Sequence, residues 1–224
     1  DSAMLIARLE AIFSFFLHFD RVLGIVIQRY GAITYGLLFL IIFCETGLII
    51  APFLPGDSLL FAAGAFAGLG SLRIEILLPV CFVAAILGDA VNYSIGRRLG
   101  YRAFQKLEGR ILTREHWEKT QRFYVKYGGR TIVIARFMPI IRTLAPFVAG
   151  VGHMPYGTFV RYNIIGAFMW TNLFLLGGYF FGTIPFVQQN FSIVIVMIVC
   201  LSLTPVIFEA VSARLEQRRA AKEK

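Results

Sequence analysis

Two arginines stand among prolines and glycines in one apolar stretch of this chain. Ala135 to Gly152, ARFMPIIRTLAPFVAGVG, carries Arg136, Arg142, Pro139, Pro146, Gly150 and Gly152. A guanidinium presents a planar fork of N–H donors that fits a carboxylate or a phosphate two bonds at a time. At the centre of a bilayer it costs roughly 2.5–3.5 kcal/mol on insertion scales. Proline removes a backbone donor and clashes with the preceding helical turn. Such a segment is tolerated at membrane depth only where it is buried in protein or lines a watery cavity. We read it as a broken hairpin that dips into the membrane and holds two cations inside.

The stretch has an acidic counterpart. Phe53 to Gly64, FLPGDSLLFAAG, is preceded by Glu45 and Pro52. Both stretches run Phe-x-Pro, then a charge (Asp57 or Arg142), then Ser or Thr followed by Leu, then Ala-Gly. Four of the eight prolines, Pro52, Pro55, Pro139 and Pro146, fall in or beside these two stretches. Paired interrupted segments in an apolar chain point to a transporter binding site at a repeat interface. Four isolated charges would cost roughly 10 kcal/mol by the insertion scale. An opposite pair about 4 Å apart at an effective dielectric of ~20 gains about 4 kcal/mol. The two acids and the two arginines are therefore expected to meet.

The elements that must position them follow from composition. The 224 residues are 58% hydrophobic and only 16% charged, and the mean hydropathy is +0.72. A soluble domain is about 45–50% apolar and about 25% charged. The chain reads as an all-α polytopic membrane protein. Lys and Arg number 22 against 13 Asp and Glu, a net charge of +9. That charge is concentrated in two segments, which we read as membrane topology and not as a nucleic-acid surface. Cys44, Cys81 and Cys200 sit in apolar runs without motif spacing and are expected as buried free thiols. His18, His116 and His153 are scattered, so no metal site and no cofactor are expected. The first residues do not read as a signal peptide, because Asp1 and Glu10 stand where a basic region would precede an apolar core.

Taken in order, residues 4–30 are apolar but interrupted by Arg8, Glu10, His18, Asp20 and Arg21, which fits an interfacial helix better than a spanning one. Residues 31–70, broken at Pro52, Pro55 and Gly56, form either the two arms of a first re-entrant hairpin, the reading taken here, or a broken span. A transmembrane helix covers 76–96 and carries Asp89 and Asn92, one turn apart on one face. They are either a polar pair satisfied against a neighbouring helix or a secondary lining of the cavity. Residues 97–130 hold ten Lys or Arg and three Glu, with Trp117, Phe123, Tyr124 and Tyr127 interleaved. This reads as a cytoplasmic amphipathic segment against anionic headgroups. The second hairpin is 131–152. A span over 157–182 contains Asn163, a further cavity-lining candidate, with Trp170 and Asn172. A last span covers 191–211, and 212–224 is a basic cytoplasmic tail. With both basic segments cytoplasmic, an even number of crossings separates them. The two units, each a re-entrant hairpin plus a transmembrane helix, are then inverted repeats.

Six stretches carry a resemblance to a known family: FCETGL (43–48), PFLPGDSLLF (52–61), GDAVNYSIGR (88–97), ARFMPIIRTLAPFVAGVGHM (135–154), YNIIGA (162–167) and GYFFGTIPFVQ (178–188). Together they resemble the DedA family of bacterial inner-membrane proteins, also called the SNARE-associated or VTT-domain family. The family's important acidic and basic positions fall on Glu45, Asp57, Arg136 and Arg142. The resemblance implies a multi-pass bacterial inner-membrane protein with a cytoplasmic C-terminus that moves lipid. Undecaprenyl phosphate recycling is the leading role, phosphatidylethanolamine handling is an alternative, and dependence on the proton gradient is implied.

On that reading Arg136 and Arg142 grip the lipid phosphate, while Glu45 and Asp57 exchange protons. The partners are a phosphate-headgroup lipid and protons, and the sequence leaves open whether the protein is a homo-oligomer. A proton-coupled small-ion antiporter, a phospholipid scramblase or flippase, and an intramembrane phosphatase are the competing functions. The last lacks a phosphatase histidine, zinc spacing or serine elbow in the sequence, so the chain is not expected to be an enzyme.

Overall fold

A computed structural model describes residues 29–48, 56–107, 118, 122, 124–125, 127–190, 193–194 and 197. Residues 4–28 of the N-terminal helix read over 4–30, the first hairpin tip at 51–55, most of the basic segment, most of the last span with Cys200, and the tail lie outside the described residues. Among the described residues seven α-helices and one short 3-10 helix, Gly128–Arg130, have defined bounds, and no strand occurs. The α-helices are α1 (Ile33–Gly47), α2 (Gly56–Gly68), α3 (Ile74–Leu107), α4 (Thr131–Ala135), α5 (Pro139–Val151), α6 (Tyr156–Phe181) and α7 (Pro185–Gln189). α3 runs unbroken past residue 96 into the segment read as cytoplasmic.

Local chemistry sets the breaks. Met138 precedes Pro139 and is extended, with φ −120° and ψ 107°, because the proline ring excludes the helical region for the residue before it. Pro139 then opens α5, where its missing N–H and fixed φ are harmless. Pro146 inside α5 removes the helical donor that the carbonyl of Arg142 would otherwise have. α2 ends where Gly70 takes φ +80°. The Ser71 N–H donates to Phe66 O at 2.9 Å and the Gly70 N–H to Ala67 O at 3.0 Å, a left-handed closure that glycine supplies without strain.

α3 and α6 are each long and apolar enough to cross a membrane. Their polarity runs inside out. Asp89, Asn92, Asn163 and Thr171 are buried, while Val83, Leu87, Phe168, Leu173 and Phe180 are exposed. In water such a surface would be an aggregation hazard. In lipid it is the ordinary outer face, and polar groups turn inward.

Each short helix that follows a chain break packs on the long helix of the other half, α2 on α6 and α5 on α3. Small residues allow the backbones to touch. A methyl at Gly64 would strike the Leu175 carbonyl, and one at Gly178 the Phe61 carbonyl. On the other side, Gly96 faces the Phe147 carbonyl and Gly150 that of Tyr93.

Two apolar clusters result. One gathers Leu38, Ile42, Leu60, Leu77, Trp170 and Leu175. The other gathers Tyr93, Ile132, Ile141, Ala145 and Phe159. Along α3, Asp89 falls between Ala85 of the first and Tyr93 of the second; along α6, Asn163 falls between Phe159 and Ala167. The charged residues occupy the seam between the clusters. Cys44 and Cys81 are free, Cys81 buried and Cys44 partly exposed, so full burial holds for only one of these two thiols.

Candidate functional site

The last turn of α1, the first turn of α2, the middle of α3, the α4–α5 turn, the start of α5 and the middle of α6 each send at least one polar group into this seam. Glu45 on α1 is 0% exposed. Its Oε1 accepts from Arg142 Nη2 and from the Gly56 N–H at 3.2 Å. Position 56 must be glycine for this contact, since a Cβ there would run into the Glu45 carboxylate. Asp57 lies in the first turn of α2, where the helix dipole favours an anion. Its Oδ1 accepts from Arg142 Nη1 at 2.7 Å and from Trp170 Nε1 at 2.8 Å. Arg142, 9% exposed, therefore joins carboxylates from two different helices.

Arg136, 4% exposed, takes a different partner. Its Nη2 donates to Asp89 Oδ2 and to Asn163 Oδ1, the latter at 2.8 Å. Asn163 is held in turn by donating its Nδ2 to the Ile86 carbonyl at 3.1 Å. Among the described contacts, Glu45 and Asp57 are brought to Arg142 and not to Arg136. Asp89, read from sequence as a secondary lining residue, supplies the second ion pair. Asn92 shows no hydrogen bond to a charged side chain among the described residues; its Nδ2 donates to the carbonyls of Thr46 at 3.3 Å and Thr143 at 2.7 Å.

Three carboxylates thus face two guanidiniums in a desolvated cluster. Each guanidinium sits near one shared indole, with Arg136 Cζ 5.6 Å and Arg142 Cζ 5.4 Å from the Trp170 ring centroid. Taking ions out of water costs several kcal/mol each, offset only by close pairing and satisfied hydrogen bonds. Satisfaction here is incomplete: among the described residues, Arg136 Nη1, Arg142 Nε and Glu45 Oε2 are buried and find no hydrogen-bond partner. The cavity beside them, lined in part by Thr46, Asp89, Arg136, Arg142, Pro146 and Trp170, measures about 10 Å³, room for a single water. Arg142 also lies in the first turn of α5, where the helix dipole adds positive potential. The arrangement binds anionic oxygens, held at present by the protein's own carboxylates.

Sequence reasoning missed two of these groups. Trp170 resembles any apolar residue of a spanning helix until its indole N–H is seen on Asp57. Gly56 reads as a chain breaker, and only the fold gives it the role of a donor to Glu45. Tyr124, named for its aromatic character in the basic segment, donates its hydroxyl to the Ala145 carbonyl of α5 at 2.7 Å, tying that segment to the helix that carries Arg142.

Comparison with known proteins gives the following. The VTT domain family matches residues 54–180, which includes Asp57, Asp89, Arg136, Arg142 and Trp170. Protein DedA of Escherichia coli (strain K12) is 50% identical over 210 residues, covering 93% of this chain and 96% of that protein. Inner membrane protein YqjA of the same strain is 33% identical over 175 residues, 77% of each chain. Inner membrane protein YghB is 31% identical over 159 residues, covering 71% of this chain and 73% of its own. No solved structure matches.

Proposed function

We propose, on the premise that this chain belongs to the VTT-domain (DedA) family of membrane proteins, that it is a transporter of phosphate-bearing lipids, with undecaprenyl phosphate the favoured cargo. The observation that carries this reading is the pair of buried guanidiniums at the seam of two membrane-length helices, each with one N–H donor that has no partner among the described residues. A phosphomonoester offers several anionic oxygens on one atom, which suits a forked donor pair. A lipid tail can remain in the hydrocarbon beside α3 and α6 while its headgroup enters.

The headgroup has to compete with Glu45, Asp57 and Asp89 for the same donors, since the cavity holds no more than a water. Protonating a carboxylate removes the charge that holds its arginine. Glu45 and Asp57 are the proton-exchanging groups for Arg142 in this scheme, and Asp89 is the corresponding group for Arg136. Lipid movement is thereby coupled to the proton gradient.

The packing of α2 on α6 and of α5 on α3 supports two inverted units. In each, a re-entrant hairpin enters from one face and a spanning helix follows. We place the basic segment and the C-terminus in the cytoplasm, with the protein in a bacterial inner membrane. A proton-coupled small-ion antiporter is the second reading, favoured by the small volume of the cavity.

Reconstitution into liposomes separates the readings. Polyprenyl phosphate should be moved faster than phosphatidylethanolamine or phosphatidylglycerol. Ion flux without movement of any phosphorylated lipid would select the antiporter.

A further inference from the structure

We propose that Trp170 is a positioning residue of the phosphate site: its indole sets the spacing of the two guanidiniums and retains Asp57 when Arg142 turns to the ligand. This rests on the phosphate-lipid reading above and adds to it a group that neither charge nor motif identified.

Trp170 is 1% exposed and touches three parts of the site at once. Its ring lies 5.6 Å from Arg136 Cζ and 5.4 Å from Arg142 Cζ. Its Nε1–H donates to Asp57 Oδ1 at 2.8 Å. Phe174, one turn along α6, packs edge-on against it with centroids 6.2 Å apart, which restrains the ring. The two centroid distances together keep the guanidinium carbons within 11.0 Å of each other.

Two like charges in a dry site repel, and the neighbouring group decides whether they stay. A further carboxylate would hold them but would occupy the N–H donors that a phosphate needs. An aliphatic side chain would leave the donors open but do nothing against the repulsion. An aromatic face attracts both cations through its quadrupole and accepts no conventional hydrogen bond from them. Beside the three carboxylates that pair with the arginines, it adds attraction for both without taking their donors, and among the described residues one donor on each is unpartnered. The indole N–H adds a second role. Asp57 Oδ1 is shared between Arg142 and Trp170, so when Arg142 leaves, Trp170 still holds the carboxylate.

The test uses the full-length protein in detergent micelles, with polyprenyl phosphate and polyprenol as probes, so that the phosphate-dependent part of affinity is read as a ratio. The parent should prefer the phosphate, and Arg142→Lys should lose most of that preference. Trp170→Leu should lower the ratio about tenfold, while Trp170→Phe, which keeps a ring but loses the N–H, should stay within about threefold of the parent. A purely structural tryptophan would change both ligands alike and leave the ratio untouched.

If the parent discriminates and Trp170→Leu discriminates equally well, the role of Trp170 is refuted while the phosphate site stands. If the parent does not discriminate, both fall. Should Trp170→Leu fail to fold, Trp117→Phe leaves Trp170 as the single tryptophan of the chain. Its fluorescence should then respond to polyprenyl phosphate and not to polyprenol. An unchanged emission at saturating polyprenyl phosphate would overturn the proposal.

Discussion

Glu45 and Arg142, 97 residues apart in the chain, form an ion pair whose two backbones are joined by a third side chain. The residues directly after them, Thr46 and Thr143, both give their carbonyls to the one Nδ2 of Asn92. α3 thereby holds α1 and α5 in the register that lets carboxylate and guanidinium meet.

Asn92 should therefore act on a pair it does not touch. Asn92→Leu removes both hydrogen bonds that its Nδ2 makes to the buried Thr46 and Thr143 carbonyls, at a cost of about 2 kcal/mol. Thermal unfolding in detergent should show that loss. Transport should fall with it, even though no charge has been changed. Asn92→Asp should be worse than Asn92→Leu, because it adds a fourth acid beside buried Glu45 and Asp89 and half-buried Asp57.

Arg136 tests whether the two ion pairs are separate devices. Arg136→Lys keeps the charge but cannot reach Asp89 and Asn163 with a planar fork. Phosphate-dependent lipid binding should drop about tenfold or more, with the protein still inserted. Asp89→Asn should release Arg136 and strengthen that binding while leaving the Arg142 pairs intact. Equal behaviour of Asp89→Asn and the parent in a lipid-binding titration would show that Asp89 does not restrain Arg136.

Close packing of α2 on α6 gives a prediction about folding alone. Gly178→Val places a branched side chain against the Phe61 carbonyl and should destabilise by about 1–3 kcal/mol or more. Gly177→Ala, on the neighbouring residue, meets only a Phe61 ring carbon at 4.0 Å and should be tolerated. Size-exclusion profiles and melting temperatures of the two variants should differ accordingly.

Much of the site was legible in the sequence because charge in hydrocarbon is expensive. Glu45, Asp57, Arg136 and Arg142 stand out for that reason, and Pro139 marks the break that the extended Met138 makes in the backbone. The partner of Arg136 was not legible. It depends on how the α4–α5 turn aims the side chain across α3, and sequence spacing carries no such information. Trp170 was hidden for the opposite reason: an apolar aromatic in a spanning helix needs no explanation until its neighbours are known. The Asn92 bridge depends on three helices converging, which periodicity on a single helix cannot reveal.

Topology is open to a direct check. Single cysteines at positions 110 and 119, in a background lacking Cys44, Cys81 and Cys200, should be protected from a membrane-impermeant thiol reagent in intact cells and should react after permeabilisation. Reaction in intact cells would place the basic segment outside, against the positive-inside rule.

The central claim is that Arg142 grips a lipid phosphate and that Glu45 makes the grip respond to protons. It is tested most directly by polyprenyl phosphate translocation in proteoliposomes across a pH series, for the parent, Arg142→Lys and Glu45→Gln at matched incorporation. The parent should translocate the lipid with a marked pH dependence. Arg142→Lys should lose about tenfold or more in rate at every pH, because the forked contact is gone. Glu45→Gln, a fixed mimic of the protonated acid, should keep binding the lipid and lose much of the pH dependence. Translocation by both variants at the parent's rate and with the parent's pH profile would contradict the phosphate grip and its proton control together.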